Sequence, residues 1–244
     1  MLFTNFYYFF SYDILKYLYL NRFNYNTIHI HYPYVIVFIY ILLLPFKKNL
    51  IVTYHSDIHK YRIFKPFLDL YMKFMNIFID YYHISSKSFF INSKIKKYKK
   101  KTIIEPFSIK IKKIKKNIKL NLKFSKYVLF IARDTYYKGF KILEEIISKS
   151  KNINFVCVTN FNFSKKYPNL KILNTIDEDT KKLLLKNSKL VISTSTSAAE
   201  TFGMTLLEGI YSDKPLMSFN LNTGVNEIIV NNKNGYLIEK FDTE

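Results

Sequence analysis

The sequence contains little cysteine and little arginine, and each shortage excludes a class of function. A single cysteine, Cys157, excludes an intrachain disulfide framework. Its position in the apolar run NFVCV predicts a buried structural thiol in a reducing compartment such as the cytoplasm. The arginines are only Arg22, Arg62 and Arg133 among 38 basic residues. Sequence-specific contacts with DNA bases favour arginine, whose guanidinium group donates two parallel hydrogen bonds to a base edge. The net charge of +20 therefore does not predict a specific nucleic-acid partner.

Long apolar runs are also missing. The most apolar segment, YVIVFIYILLLPF, covers residues 34–46, whereas a membrane-spanning helix needs about 20 apolar residues. We therefore interpret this segment as a buried helix. With 49% hydrophobic residues in a chain of 244, the sequence has enough apolar side chains for one large core or two modest ones.

The positive charge is concentrated in the first half of the chain. Residues 1–123 carry 22 basic and 5 acidic side chains, and residues 124–244 carry 16 and 13. We interpret this change as a boundary between two domains, 1–123 and 124–244. The lysine runs KIKKYKKK (94–101) and KIKKIKKNIK (110–119) have two interpretations. They form a solvated surface, or they are attracted to an anionic bilayer by about 1 kcal/mol per lysine near the surface.

Both halves combine short apolar runs with amphipathic helical patterns, which is typical of α/β domains with parallel sheets. The first half has strand patterns in IHIHYP and KKNLIVTYHSD on either side of the helix at 34–46. The second half has strand patterns in KYVLFIA, NINFVCVTN, YPNLKIL, KLVISTS, KPLMSF and GYLIE, with helical patterns such as FKILEEIISKS (140–150) and DEDTKKLLLKN (177–187). These patterns predict a doubly wound sheet whose ligand site lies beyond the carboxyl ends of the strands.

The first candidate loop is ARDTYYKGF, directly after the strand pattern LFIA. Arg133 and Lys138 are two cations at a strand exit, and Gly139 ends the turn before a helix whose dipole adds partial positive charge. This combination suits a diphosphate. The alternative interpretation is a pair of surface cations beside an ordinary turn.

The second candidate loop is STSAAETFG, which precedes an apolar helix. The backbone amides of Phe202, Gly203 and Met204 are therefore expected to lie unbonded at the start of that helix. Glu200 and Glu208 flank these amides, and a carboxylate can accept paired hydrogen bonds from vicinal hydroxyls. The pattern predicts a ligand with hydroxyls at both ends and phosphate between them, as in a nucleotide sugar. The alternative for Glu200 alone is a favourable charge at a helix N-terminus, worth about 0.3 to 1 kcal/mol.

Taken in order, these motifs resemble the C-terminal domain of the group 1 (family 4) glycosyltransferases, over residues 126–239. These are retaining enzymes with the GT-B fold, in which two Rossmann-like domains face a cleft. The family's E-x7-E pair around F-G is similar to ETFGMTLLE, its R-x4-K-G turn to RDTYYKG, and its G-x-x-E segment with a later N-G to TGVNEIIVNNKNG. In the first half, IHIHYP and VTYHSDI resemble the members that build bacterial surface polysaccharides from mannose or rhamnose-type sugars.

The resemblance implies transfer of a hexosyl group, with retention of configuration, from a nucleotide-diphosphate sugar to a saccharide or lipid-linked saccharide. It implies that the donor is bound by Arg133 and Lys138 at the diphosphate, by the amides of Phe202, Gly203 and Met204, and by Glu208 at the ribose. Glu200, at the hydroxyls of the transferred sugar, and His55, beside that sugar and the leaving phosphate, would be the catalytic residues. The resemblance implies no metal and no other cofactor. The implied location is the cytoplasm, with a peripheral position on the cytoplasmic face of the membrane as the alternative.

The sequence departs from the family pattern at both ends. All five glycines lie between Gly139 and Gly235, whereas the family begins with a strand and a glycine-rich loop and continues through helices beyond the segment GYLIEKFDTE. We therefore expect the chain to match the middle of a longer enzyme. Three hypotheses remain open: an incomplete sequence of an active glycosyltransferase, a split or decayed product that at most binds nucleotide sugar, and a basic protein that binds polyanions or membranes through its lysine runs.

Overall fold

The computed structural model describes residues 12–32, 49–57, 65–110, 120 and 122–239. It divides the chain into two units, Met1–Pro106 and Phe107–Glu244, and each unit is built on its own parallel sheet. The helix predicted at 34–46 lies outside the described residues, as does the second lysine run after its first residue.

The first unit contains a four-stranded parallel sheet with the order β1-β2-β3-β4. Its strands are β1 (Thr27–Tyr32), β2 (Asn49–Tyr54), β3 (Tyr81–Ile84) and β4 (Thr102–Ile104); its described helices are α1 (Tyr12–Leu20), α2 (Lys65–Met75), α3 (Lys87–Asn92) and a 3-10 helix over Lys94–Lys101. Because side chains alternate along a strand, TIHIHY buries Ile30 and Tyr32 and leaves His29 and His31 exposed. The sheet therefore has a histidine-bearing face opposite its core.

The second unit contains a six-stranded parallel sheet with the order β10-β9-β8-β5-β6-β7. Its strands are β5 (Val128–Ile131), β6 (Phe155–Val158), β7 (Leu170–Leu173), β8 (Leu190–Ser193), β9 (Leu216–Phe219) and β10 (Gly235–Ile238); its helices are α4 (Phe140–Lys149), α5 (Glu178–Asn187), α6 (Met204–Ile210) and α7 (Val225–Ile228). The chain starts in the middle of the sheet, adds strands on one side and then adds strands on the other. This is the predicted doubly wound order, and its switch point lies between β5 and β8.

The core of the second unit covers both faces of its sheet. All four residues of β6 are buried. Val156 packs with Leu129 in one apolar cluster, while Phe155 and Cys157 pack with Phe130 in another. Burial raises the pKa of the Cys157 thiol, which agrees with the structural thiol predicted from NFVCV.

The division between the units lies closer to the N-terminus than the boundary predicted at 123/124. Phe107, Leu120, Leu122 and Phe124 pack against the core of the second unit, and the division follows Pro106. The charge distribution led to a later boundary because lysines dominate this segment, whereas its few apolar side chains decide where it packs.

Within the described ranges, no helix has the length and apolar content needed to cross a bilayer.

Candidate functional site

The loops after β5 and β8 meet at the carboxyl edge of the second sheet. β5 and β8 are hydrogen-bonded neighbours, so the segments that leave them start side by side. A small pocket there is lined by Lys138, Glu200 and Gly203 together with residues of both strands. The two predicted loops therefore meet at the switch point of the sheet, the place where open α/β folds bind their ligands.

Gly139 holds the first loop against the second. Its φ is +66°, in the left-handed region that favours glycine, and a Cβ atom built on it would lie 1.9 Å from the Thr194 carbonyl oxygen. The Thr194 hydroxyl donates to the Lys138 carbonyl at 2.8 Å, and the Thr196 amide donates to the Tyr137 carbonyl at 2.8 Å. The backbone on both sides of Lys138 is thus fixed by the loop after β8.

Lys138 and Glu200 form an ion pair at this junction. The Lys138 ammonium contacts Oε2 of Glu200, and the Ser195 hydroxyl donates to the same oxygen at 2.7 Å. The side chains of Lys138 and Glu200 are only 19% and 11% exposed, so this pair is screened less than a surface pair. The structure therefore brings together the lysine predicted for the diphosphate and the glutamate predicted for the transferred sugar. Arg133, on the same loop as Lys138, is exposed.

The segment ETFG, which carries Glu200, is fixed by the later TGVNE segment. The Thr223 hydroxyl donates to the Glu200 carbonyl at 2.8 Å, and the Gly224 amide donates to the Thr201 carbonyl at 2.8 Å. A Cβ atom on Gly224 would lie 2.6 Å from the ring of Phe202, so a larger residue would displace that ring. The third sequence motif therefore supports the second by direct contact.

The start of α6 carries the predicted amide cluster. Gly203 has a φ of +87° and directly precedes α6. Phe202 is buried and its ring packs edge-to-face with that of Phe107, while Met204 is 40% exposed. In the part of the chain that the structure describes, the amides of these three residues donate no hydrogen bond, so they remain available to an acceptor.

Glu208 contacts a lysine that lies outside all three sequence motifs. The Lys181 ammonium lies 2.8 Å from Oε1 of Glu208, and their side chains are 18% and 22% exposed. Lys181 also reaches Oε2 of Glu178 at 3.0 Å. Burial alone would lower the pKa of Lys181, but the hydrogen bonds with Glu208 and Glu178 outweigh burial, and this pKa is raised above its ordinary value. No motif marks Lys181, because one lysine among many in a helical pattern carries no sequence signal of its own.

His55 lies in the first unit, directly after β2. Its Nε2 is 2.7 Å from Nδ1 of His31, and the two rings stack with centroids 5.0 Å apart. Burial, followed by the neighbouring histidines, lowers the pKa of His55. His55 is therefore neutral at neutral pH and can donate through one ring nitrogen and accept through the other.

A second histidine chain crosses the same face of the first sheet. Nε2 of His83 lies 2.9 Å from the Glu105 carbonyl, which can only accept, so this nitrogen is the donor. Nδ1 of His83 lies 3.0 Å from the Thr53 hydroxyl oxygen, and that oxygen lies 2.7 Å from Nε2 of His29. Across the described ranges, no group of three or more His, Cys, Asp or Glu side chains is placed to hold a metal ion.

Comparison with known proteins gives a family and a fold. The family model described as glycosyl transferases group 1 matches residues 110–244. The chain is 27% identical over 209 residues to O-antigen chain mannosyltransferase C of Escherichia coli, covering 80% of this chain and 56% of that protein. It is 26% identical over 214 residues to D-rhamnosyltransferase WbpZ of Pseudomonas aeruginosa, covering 80% and 55%. The chain therefore spans about half the length of the curated relatives it matches.

Among solved structures, Anabaena Alr3699/HepE in complex with UDP-glucose matches with a TM-score of 0.68 at 16% identity. The match covers 93% of this chain and 67% of that one. Together with the two parallel sheets, this likeness confirms the predicted α/β fold class of GT-B type. The roles predicted for individual residues stay predictions.

Proposed function

Since the chain belongs to the group 1 glycosyltransferases, we propose that it carries the donor site for transfer of a hexosyl group from a nucleotide-diphosphate sugar to a saccharide or lipid-linked saccharide. The reaction would retain the configuration of the sugar and serve polysaccharide biosynthesis. The observation that carries this proposal is the contact between Lys138 and Glu200 at the switch point of the second sheet. It places a cation and a hydroxyl acceptor within one pocket, as a sugar attached to a diphosphate requires.

The diphosphate would lie against Lys138, Arg133 and the unbonded amides at the start of α6. As the glycosidic bond breaks, negative charge develops on the departing phosphate oxygen, and cations and amides placed beforehand stabilise that charge most effectively. The backbone of Lys138 is fixed by the loop after β8, so only its side chain would move when its ammonium turns from Glu200 towards a phosphate. No metal or other cofactor enters this proposal.

The sugar hydroxyls would be bound by Glu200 and the ribose by Glu208. Oε2 of Glu200 accepts hydrogen bonds from the Lys138 ammonium and the Ser195 hydroxyl. No donor among the described residues reaches its Oε1. That oxygen is available to a hydroxyl of the transferred sugar. His55, which is neutral and hydrogen-bonded to His31 within the first unit, stays the histidine predicted for the transferred sugar.

The names of the relatives support a polysaccharide substrate. Two of them are described as a mannosyltransferase for O-antigen chains and as a rhamnosyltransferase. We propose a similar role, with an acceptor held at the cytoplasmic face of an anionic membrane. The exposed lysines Lys96, Lys97, Lys99 and Lys100 support such a peripheral contact, because a lysine near an anionic surface contributes about 1 kcal/mol.

Calorimetric titration with UDP-, GDP- and dTDP-sugars tests the donor site directly. We expect micromolar binding of one donor by the wild-type chain and loss of that binding in Glu208→Ala. Circular dichroism of both proteins establishes that they are folded. If a folded wild-type chain binds none of the three donors, this proposal fails for the chain, and the hypothesis of a split or decayed product leads. Binding to polyanions that persists in Glu208→Ala, with no donor binding, would favour a basic binding protein.

A further inference from the structure

The two glutamates of the site share one arrangement. In each, one carboxylate oxygen accepts from a lysine of another element. Glu200 accepts from Lys138 in the loop after β5, and Glu208 accepts from Lys181 in α5. In each case no donor among the described residues reaches the second carboxylate oxygen. A carboxylate held through one oxygen presents the other in a fixed direction, which suits recognition of a hydroxyl.

Lys181 lies near the capped start of α5. The Asp177 carboxylate accepts from the Thr180 amide at 2.7 Å and caps the start of the helix, with Lys181 in the following position. The second partner of Lys181, Glu178, is 76% exposed, and exposed ion pairs contribute little. The contact with Glu208 is the better buried of the two and therefore decides where the ammonium lies.

We propose that Lys181 is a positioning residue of the donor site, which directs the second oxygen of Glu208 towards the ribose hydroxyls of a bound nucleotide. This inference rests on the proposed function, in which Glu208 reads the ribose. It extends that function to a specificity: the site should prefer ribonucleoside diphosphates over their 2′-deoxy counterparts. That preference should depend on Lys181.

The test compares paired nucleotides on the whole chain. Dissociation constants are measured by calorimetry for UDP, GDP and their 2′-deoxy counterparts with the wild type, Lys181→Met and Lys182→Met. Lys182 is the matched control, because it is adjacent on α5 and pairs with Asp179 at 3.1 Å. Lys181→Gln repeats the test, and thermal unfolding of every variant establishes that it is folded.

We expect the wild type and Lys182→Met to prefer the ribose form of the bound nucleotide by about 10- to 100-fold, the range for one hydrogen bond to a charged group. In Lys181→Met and Lys181→Gln the preference should fall below about 3-fold, since Glu208 is no longer held. A purely structural role of Lys181 would weaken both forms equally and leave their ratio unchanged.

Three results would be adverse, and they are distinguishable. If the wild type binds nucleotide without preferring ribose, or if folded Lys181 variants keep the wild-type ratio, the positioning role is wrong while the donor site stands. If the wild type binds no nucleotide of either kind and none of the UDP-, GDP- and dTDP-sugars, the proposed function itself fails.

Discussion

Under the proposed function, a bound diphosphate and Glu200 would compete for the Lys138 ammonium. We predict that Lys138→Ala lowers turnover by about 10²- to 10³-fold, because loss of one group that stabilises developing charge commonly has an effect of that size. The measurement is release of nucleoside diphosphate from the donor that the titration identifies. Lys141→Ala is the control, since Lys141 is an exposed lysine in the adjacent helix α4. Full turnover in a folded Lys138→Ala variant would remove Lys138 from this role.

Gly139 has a more demanding position than Gly203, although both have positive φ. The nearest atom to a Cβ on Gly139 is the Thr194 carbonyl oxygen at 1.9 Å, whereas the nearest atoms to a Cβ on Gly203 are side-chain methyl carbons of Leu206 and Val225 at 3.2 Å. We predict that Gly203→Ala lowers the free energy of unfolding by about 1 to 2 kcal/mol, the cost of the left-handed conformation. Gly139→Ala should lower it by more, because the two loops must also separate. Denaturant unfolding of both variants measures the difference, and equal losses would contradict the predicted contact.

At the level of whole elements, the strands of the second unit follow directly from the sequence because their signal is local. Four consecutive apolar residues such as FVCV suit a strand buried on both faces, and Asp177 before a helical pattern is a capping signal. The site loops were also predictable, since a parallel sheet brings its strand exits to one edge. The contact between Glu208 and Lys181 was not predictable, because it depends on how α5 and α6 each pack onto the same core. That packing is a tertiary property without a sequence motif.

The loop after β6 is fixed to α4 through one carboxylate. Glu144 Oε1 accepts from the Ser164 amide at 2.7 Å, the Ser164 hydroxyl at 2.6 Å and the Tyr167 hydroxyl at 3.0 Å. Burial raises the pKa of Glu144, but these hydrogen bonds outweigh it, so the pKa is lowered. A lowered carboxyl pKa adds stability above the pKa of the unfolded state, and that stability is lost as the pH falls through the folded-state value.

We therefore predict that Glu144→Gln lowers the free energy of unfolding at pH 7 by about 1 kcal/mol, a value reduced for the partial exposure of this group. The difference from the wild type should shrink as the pH falls below about 4.3, the ordinary glutamate value. Glu145→Gln is the control on the same helix, because its ion pair with Lys149 is exposed. A destabilisation of Glu144→Gln that is independent of pH from 7 to 3 would show that the carboxylate charge is not the cause.

On the scale of the whole molecule, charge and packing divide the chain at different places. The excess of lysine extends to residue 123, whereas the structural division follows Pro106. Net charge reports on partners and solubility rather than on fold, so it located the basic surface but not the unit boundary. Packing of apolar side chains decides the boundary, and in a lysine-rich segment that signal is carried by very few residues.

The 3-10 helix over Lys94–Lys101 orients its lysines in two ways. Lys94 pairs with Asp69 at 2.5 Å, and Lys101 donates to the backbone carbonyls of Asn76 and Ile79, so these two lysines attach the helix to its own unit. Four others, Lys96, Lys97, Lys99 and Lys100, are exposed. An anionic bilayer would be contacted by these four side chains rather than by the whole run.

We predict that the chain binds phosphatidylglycerol vesicles but not phosphatidylcholine vesicles, and that binding weakens as salt rises, because the attraction is electrostatic. Replacing the four exposed lysines of the 3-10 helix with Gln should remove most of the binding in a sedimentation assay, since each contributes about 1 kcal/mol. The control replaces four exposed lysines of the second unit, Lys141, Lys151, Lys171 and Lys189, and changes the net charge equally. Equal loss in both variants would show that only total charge matters. Glu208→Ala should bind vesicles like the wild type, because the donor site and the basic helix belong to different units.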